Sequence, residues 1–350
     1  MNQVIQLGNR SIGLGHSPFV IAEIGANFSG LEEGRRQIEA AAKAGCDAVK
    51  LQTFRADTLV RRGATFTFED GSIVSQHDFF KARELSLEVH LDLKASCESH
   101  GMIFFSTPSH QNDLALLESI GVLLHKIGSD DLTNLPFIDA IARTGKPVIL
   151  STGMCSLGEV EEAVSAFQST GNRNLILLHC LVGYPAPLDR ANLRVIRTLR
   201  QAFDVPIGFS DHTPGTLAAT LAVTLGACAV EKHFTLDRSA GGPDNDTSLE
   251  PDEMTALVRD LRQVSAILGD GRKQIQPGEV KWREAARKSL VASRPIRSGE
   301  SISAEMIAIK RPSDGLHPRN FQDVVGKIAR QDLAADQCLR WDLLKDATEQ

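Results

Sequence analysis

Eight short apolar runs recur between residues 19 and 235, and nearly every one ends in polar or charged side chains. They are FVIAEIGA (19–26), AVKLQTF (48–54), MIFFSTP (102–108), LLHKIGS (123–129), PVILSTG (147–153), LILLHCL (175–181), PIGFSDH (206–212) and ACAVEKHFT (227–235). Near-continuous apolar strands belong to parallel sheets covered on both faces. Between most of them lie segments with apolar residues at helical spacing, such as GRRQIEAAAKAG and SLGEVEEAVSAFQSTG. Eight βα units over about 250 residues predict an α/β fold of the (β/α)8 TIM-barrel type, whose active site lies at the C-terminal strand ends. A doubly wound sheet is the main competitor. No GxGxxG follows the first run, which weakens the dinucleotide-binding version of that fold.

The pattern changes after residue 265. LGDGRKQIQPGEVKWREAARKS is polar and helix-like, and from about residue 288 short β-type pieces alternate with Gly, Pro and Asp turns. We therefore expect a barrel over 1–268, a linker over 269–287 and a small β-rich domain over 288–350. Charge is interleaved and sums to -6, with no basic stripe for nucleic acid and no polybasic membrane anchor. The most apolar stretch, TLAATLAVTLGACAV, is too short to span a bilayer. The N-terminus has no signal-peptide pattern. Six scattered cysteines without a CxxC pair read as reduced thiols of a cytoplasmic protein.

Under the barrel reading the polar run ends converge. His212 and His233 end neighbouring strands, each next to acidic or hydroxyl residues. A single histidine in such a setting is commonly a hydrogen-bonded core residue, but two at adjacent strand ends suit a divalent metal with open positions for water or substrate. His179, one strand earlier, is a weaker third candidate. Lys50 and Lys126 read as salt-bridge partners, Schiff-base nucleophiles or phosphate grips. Thr107, Ser129, Ser151 and Ser210 lie at nearby strand ends, where hydroxyls converging with ammonium groups suit a phosphate. Taken singly, each serine reads as a helix N-cap. Glu23 is a candidate general base or hydroxyl orienter. Asp130 and Asp131 are candidates for binding hydroxyls or for capping the next helix. Asp244 lies in a polar loop and Arg311 on a turn of the small domain.

These residues also carry a resemblance. IAEIGANFSG, AVKLQTF, KIGSDDLTNLP, ILSTGM, GFSDHTPG, AVEKHFTLDR and GPDNDTSLEPDE resemble, in order, the motifs of the sialic acid synthase family, the N-acylneuraminate and related nonulosonate synthases. The last sixty residues resemble that family's antifreeze-like SAF domain, of β-clip type. The resemblance implies condensation of phosphoenolpyruvate with an N-acetylated amino-hexose, N-acetylmannosamine or a 2,4-diacetamido-6-deoxy sugar. It implies a divalent ion, usually Mn2+ with Mg2+ or Co2+ as alternatives, held by His212 and His233. It also implies a catalytic Glu23, and phosphate and carboxylate grips at Lys50, Thr107, Lys126, Ser129, Ser151 and Ser210. Substrate contacts follow at Asp131, Tyr184 and Asp244, and Arg311 is offered from the exchanged C-terminal domain of a homodimer partner. The chain departs from the family pattern at Asp131, where many members have Glu, at Val182, where Asn is frequent, and at Asn245, where His is common. All three fall on the sugar side. A Schiff-base pyruvate aldolase and a non-enzymatic carbohydrate- or ice-binding protein are the rival readings, the first requiring no metal. The last segment lacks the regular array of exposed Thr that ice binding would want.

Overall fold

The computed structural model describes residues 3–25, 27–67 and 71–348. Backbone contacts divide the chain into two units, 1–269 and 270–350. In the first, all eight apolar runs form strands: β1 (Phe19–Glu23), β2 (Ala48–Thr53), β3 (Ile103–Pro108), β4 (His125–Ile127), β5 (Val148–Ser151), β6 (Leu175–Cys180), β7 (Ile207–Asp211) and β8 (Ala229–His233). They are parallel in the sequential order β3-β2-β1-β8-β7-β6-β5-β4. Strands β3 and β4 lie side by side and bring the ring to near closure. A doubly wound sheet would instead reverse its strand order at a switch point.

Each strand is followed by a helix, in order α1 (Leu31–Ala44), α2 (Leu87–Ser99), α3 (Gln111–Ser119), α4 (Leu135–Ala142), α5 (Leu157–Ser169), α6 (Val195–Ala202), α7 (Leu217–Thr224) and α8 (Pro251–Leu268). Their starts are locally encoded. Ser156 and Glu159 form a reciprocal capping box ahead of α5, which satisfies two of the backbone N–H groups a helix start leaves free. Helix α1 stops at Gly45, whose φ of 87° is a left-handed cap.

Because strand side chains alternate, the barrel sorts its residues into two cores. One set, including Val20, Ala22, Val49, Leu51, Leu150, Leu177, Phe209 and Val230, packs outward against the helices. The other, including Phe19, Ile21, Ala48, Phe105, Ile149, Ile176, Leu178 and Ala229, fills the interior. The interior core is completed by an element outside the eight βα units expected from the sequence. An N-terminal hairpin, Ile5–Leu7 with Arg10–Ile12, turns at Gly8, where φ is 59°. Its Ile5, Leu7 and Ile12 join the interior cluster and stopper the barrel at the N-terminal ends of its strands. A Gly-Asn pair between apolar residues is a hairpin signal, and QLGNRSI carries one.

Asp47 ties this end together. It is buried, accepts the Val20 N–H at 2.8 Å, and pairs with Arg10 at 3.1 Å and Arg262 of α8 at 2.6 Å. Asp47→Ala would strand that amide and the half-covered Arg262 charge. Leaving a buried amide without its acceptor typically costs about 1–3 kcal/mol, so we expect a lowered thermal midpoint. A midpoint matching that of the unaltered protein would show that the cluster contributes nothing.

The second unit has its own core of Leu290, Ala292, Ile296, Ile302, Ile307, Val324, Ala329, Leu333, Leu339 and Leu344. Strand Ser289–Ala292 pairs antiparallel with Ile307–Lys310, and Ile328–Ala329 with Leu344–Lys345. Residues 280–286 of the expected linker are helical. No described helix is long and apolar enough to cross a membrane.

Candidate active site

Two residues further along seven of the eight strands from the interior core, inward-facing side chains turn from apolar to polar. Ile21 is followed by Glu23, Ala48 by Lys50, Phe105 by Thr107, Leu124 by Lys126, Ile149 by Ser151, Gly208 by Ser210 and Ala229 by Glu231. One further step gives His212 just past β7 and His233 at the end of β8. Except for Glu23, which pairs with Lys50 outside the lining, they surround a cavity of about 270 Å³ lined by Lys50, Thr107, Lys126, Ser129, Ser151, Tyr184, Ser210, Glu231, His212 and His233.

At the base of this cavity Lys126 donates to the Ser151 hydroxyl at 2.6 Å, and Lys50 to the Thr107 hydroxyl at 3.3 Å. Lys50 also pairs with Glu23. Glu231 lies between the two ammonium groups, 3.8 Å from Lys50 and 4.0 Å from Lys126, and accepts from Ser210 at 3.3 Å. Burial acts against charge on all four, and their neighbours decide the outcome. Burial lifts the Glu23 carboxyl to about 7, opposed by Lys50 and assisted by Glu231. Burial also disfavours charge on Lys50, but Glu23 and Glu231 hold its pKa above the ordinary lysine value. Burial depresses Lys126, with Glu231 offsetting only part. On Glu231 burial is outweighed by Lys126 and Lys50, and its pKa falls. The base is thus a dry nest of two cations, two acids and several hydroxyls, with donors ready for an anion. Gly25 belongs to the same construction. Its N–H reaches the Glu23 carboxylate at 2.6 Å, and a Cβ at that position would run into the carboxylate and Gln52.

Above the nest the imidazole rings of His212 and His233 lie with centroids 5.3 Å apart. Nδ1 of His212 is 2.9 Å from the Leu181 carbonyl, which can only accept, so that nitrogen carries the proton and Nε2 keeps its lone pair. Burial depresses the pKa of both rings, that of His233 well below the usual value with His212 and Lys50 adding to it. Nδ1 of His233 is buried without a hydrogen-bond partner, 3.7 Å from Asp244. Two neutral imidazoles, one with a fixed tautomer and one with an orphaned nitrogen, fit a divalent ion as a two-donor site. No set of three His, Cys, Asp or Glu side chains gathers as a metal cage among the described residues. The remaining positions therefore fall to water and substrate. Tyr184 packs against both rings, tilted over His212 at a centroid distance of 4.5 Å and edge-on to His233 at 5.8 Å.

Other expected residues lie elsewhere. Asp131 is outside the cavity lining and accepts from Asn134 at 2.9 Å, whereas Asp130 lines it. His179 faces outward, its Nε2 donating to the Ala191 carbonyl at 2.8 Å and its ring stacking on Phe209. The strand alternation that points Leu178 and Cys180 inward turns it away. Asp244 is partly buried, which raises its carboxyl to about 6. Arg311 is exposed in the second unit. Glu231, in contrast, stands out in the sequence only as a neighbour of His233, and the same alternation places it inward. Cavity residues Leu59 and Phe80 come from the segment between β2 and α2. There Phe54, Phe66, Phe79 and Phe80 form an edge-to-face cluster, with Arg83 3.8 Å over the Phe79 ring. No periodicity in the sequence foretells it.

An anion nest beneath two neutral imidazoles, at the C-terminal ends of barrel strands, defines a barrel enzyme for small anionic substrates. The chain belongs to the NeuB family, whose model matches residues 37–273, and an SAF domain matches residues 287–345. It is 38% identical to the N,N'-diacetyllegionaminic acid synthase of Campylobacter jejuni, over 92% of this chain and 98% of that one. It is 35% identical to a pseudaminic acid synthase of Campylobacter jejuni, over 96% and 98% of the two chains. The crystal structure of the N-acetylneuraminic acid synthetase of Leptospira borgpetersenii superposes with a TM-score of 0.73 at 36% identity. That match covers 82% of this chain and 98% of that one.

Proposed function

We propose that the chain is a synthase that condenses phosphoenolpyruvate with the open-chain aldehyde of an N-acetylated amino-hexose. The product is a nine-carbon 2-keto acid sugar of nonulosonate type, with release of phosphate. The observation that carries this reading is the pairing of Lys50 with Thr107 and of Lys126 with Ser151, beside Ser210, at the base of a cavity topped by His212 and His233.

In this reading the nest holds the phosphate and carboxylate of phosphoenolpyruvate. Lys50 is neutralised by Glu23 until the anion arrives and competes for it, which frees Glu23. His212 and His233 hold a divalent ion, Mn2+ in the assignment implied by the family motifs; when bound, it polarises an aldehyde oxygen. C3 of phosphoenolpyruvate forms the new bond to the aldehyde carbon, and the aldehyde oxygen takes up a proton to become a hydroxyl. Water adds to C2, giving to Glu23 one proton, which replaces the one taken up by the aldehyde oxygen. The C2–O bond to phosphate then breaks, phosphate leaves with the remaining hydroxyl proton and C2 becomes the ketone. Lys50 and Lys126 offset the anionic charge throughout in a site that excludes bulk water. Phosphoenolpyruvate is an intracellular metabolite, so this chemistry belongs in the cytoplasm. The protein acts as a homodimer in which the second unit of one chain covers its partner's barrel and supplies Arg311.

The test is phosphate release from phosphoenolpyruvate with a panel of N-acetylmannosamine and 2,4-diacetamido-6-deoxy-hexoses. Release with none of them would overturn the reading. A borohydride-trapped pyruvate adduct on a lysine would favour an aldolase instead.

Two substitutions separate chemistry from binding. Glu23→Gln should lower kcat by about 100-fold or more while KM for phosphoenolpyruvate changes little, as expected for loss of a proton acceptor. With its carboxyl near 7 in the free enzyme, Glu23 is ionised above that pH and protonated below it. The rate with wild-type protein should therefore fall as pH drops through about 7, and the Gln variant should lack that limb. Wild-type kcat in the variant would make Glu23 purely structural. Lys126→Met should raise KM for phosphoenolpyruvate by roughly tenfold or more as well as lowering kcat, because it strips a charged donor from the anion and leaves Glu231 facing it. An unchanged KM would remove Lys126 from the nest.

A further inference from the structure

Asp211 and Lys232 form a fully buried ion pair that the chemistry above does not use. Both side chains are completely enclosed, with Oδ2 of Asp211 3.1 Å from Nζ of Lys232. The two residues are direct cross-strand neighbours on β7 and β8. One step earlier, the cross-strand neighbours Ser210 and Glu231 point inward into the anion nest. Alternation therefore puts Asp211 and Lys232 on the outer face of the barrel wall, directly behind the histidines that follow each of them. Oδ1 of Asp211 accepts both the backbone N–H and the hydroxyl of Thr213, each at 2.8 Å. Lys232 Nζ donates to the Thr213 carbonyl. His212 is thereby spanned on both sides, by Asp211 before it and Thr213 after it, and the spanning bonds lead to the residue adjoining His233.

Stability gives little reason for this arrangement. Replacing a buried ion pair with apolar side chains of similar volume is often neutral or stabilising, and the best-attested use of such a pair is to fix register. We propose that Asp211 and Lys232 are positioning residues, a clamp behind the barrel wall that fixes the spacing of the His212 and His233 rings. The inference rests on the two-histidine reading for its functional consequence and on strand geometry for its existence.

The test uses full-length Asp211→Leu/Lys232→Met, which removes both charges and keeps the volume. Two readouts are taken: a Co2+ absorption titration, and 15N imidazole resonances of the metal-free protein. The expected result is a folded variant, with a thermal midpoint lowered by the loss of Thr213's partners, whose Co2+ affinity is weaker by about 10–100-fold, the range typical of lost outer-shell partners. In the wild type His212 should show the single Nδ1–H tautomer that its Leu181 contact dictates, and in the variant a mixture. Wild-type Co2+ affinity together with an unchanged tautomer would overturn the clamp. If the double variant does not fold, Asp211→Asn is read in the same way, with about tenfold weaker Co2+ binding expected and an unchanged value counting against the clamp. If wild-type protein binds no Co2+, or binds it equally well as His233→Ala, the two-histidine metal reading fails. The imidazole resonances then decide the clamp alone, and identical spectra in wild type and variant would overturn it.

Discussion

His212→Ala or His233→Ala should each abolish synthase turnover, and exhaustive chelation of wild-type protein should do the same, with Mn2+ or Co2+ restoring the rate. The two imidazoles are neutral and close, with Nδ1 of His212 tied to the Leu181 carbonyl and Nδ1 of His233 without a partner, so their main contribution is as donors. A Lewis acid contributes several kcal/mol of charge stabilisation in such reactions, which corresponds to roughly a thousandfold or more in rate. The fold should survive either substitution, because both rings line the cavity and leave the apolar cores intact. Two measurements check this together: phosphate release after chelation, and the thermal midpoint of each variant. Full activity in metal-stripped protein would eliminate the metal site, and unfolding of either variant would show that the ring has a structural task.

The second large effect is a recovery. A His233→Ala chain and an Arg311→Ala chain should each be inactive, the first for want of a donor and the second for want of a cation at the shared mouth. Mixed under conditions that allow subunits to exchange, they should regain activity. In a mixed dimer, the Arg311→Ala chain contributes an intact barrel and the other chain contributes an intact Arg311, so one complete site of two is assembled. Closed two-fold symmetry permits such exchange. At equal amounts, half the dimers are mixed on random assortment, each with one working site, so about a quarter of wild-type activity is expected. If every chain used its own Arg311, mixing would restore nothing. A fully active species that sediments as a monomer would likewise rule out the shared site.

How much of this was legible in the residues depends on the kind of signal. All eight barrel strands were visible, because burial on both faces demands continuous apolar runs and helices interrupt them at regular distances. The polar ends of those runs located the site, and Lys50, Thr107, Lys126, Ser129, Ser151, Ser210, His212 and His233 do line one cavity. Glu231 was missed for a definable reason. In AVEKH, charge drew attention to the cluster as a whole, whereas alternation separates Glu231 and His233, which face in, from Lys232, which faces out. His179 was overvalued for the converse reason. The contribution of Leu59 and Phe80 could not be read at all, since the 54–86 segment is held by aromatic contacts between residues far apart in sequence and follows no period. Arg311 carries no local signal of its own, and its role comes solely from the family motifs.

The hairpin at the barrel's N-terminal end has a consequence for kinetics. With Ile5, Leu7 and Ile12 seated among Phe19, Ile21 and Leu178, that end is a stopper of packed hydrocarbon. A vessel closed below fills and drains through its mouth alone. In the anion nest, Ser210 and Glu231 lie one inward step beneath His212 and His233 on the same strands, nearer the stopper. On the synthase reading proposed above, traffic should therefore be last in, first out, with phosphoenolpyruvate seated before the sugar settles above it. The long sugar acid would then have to clear the mouth before the phosphate left at the bottom could escape.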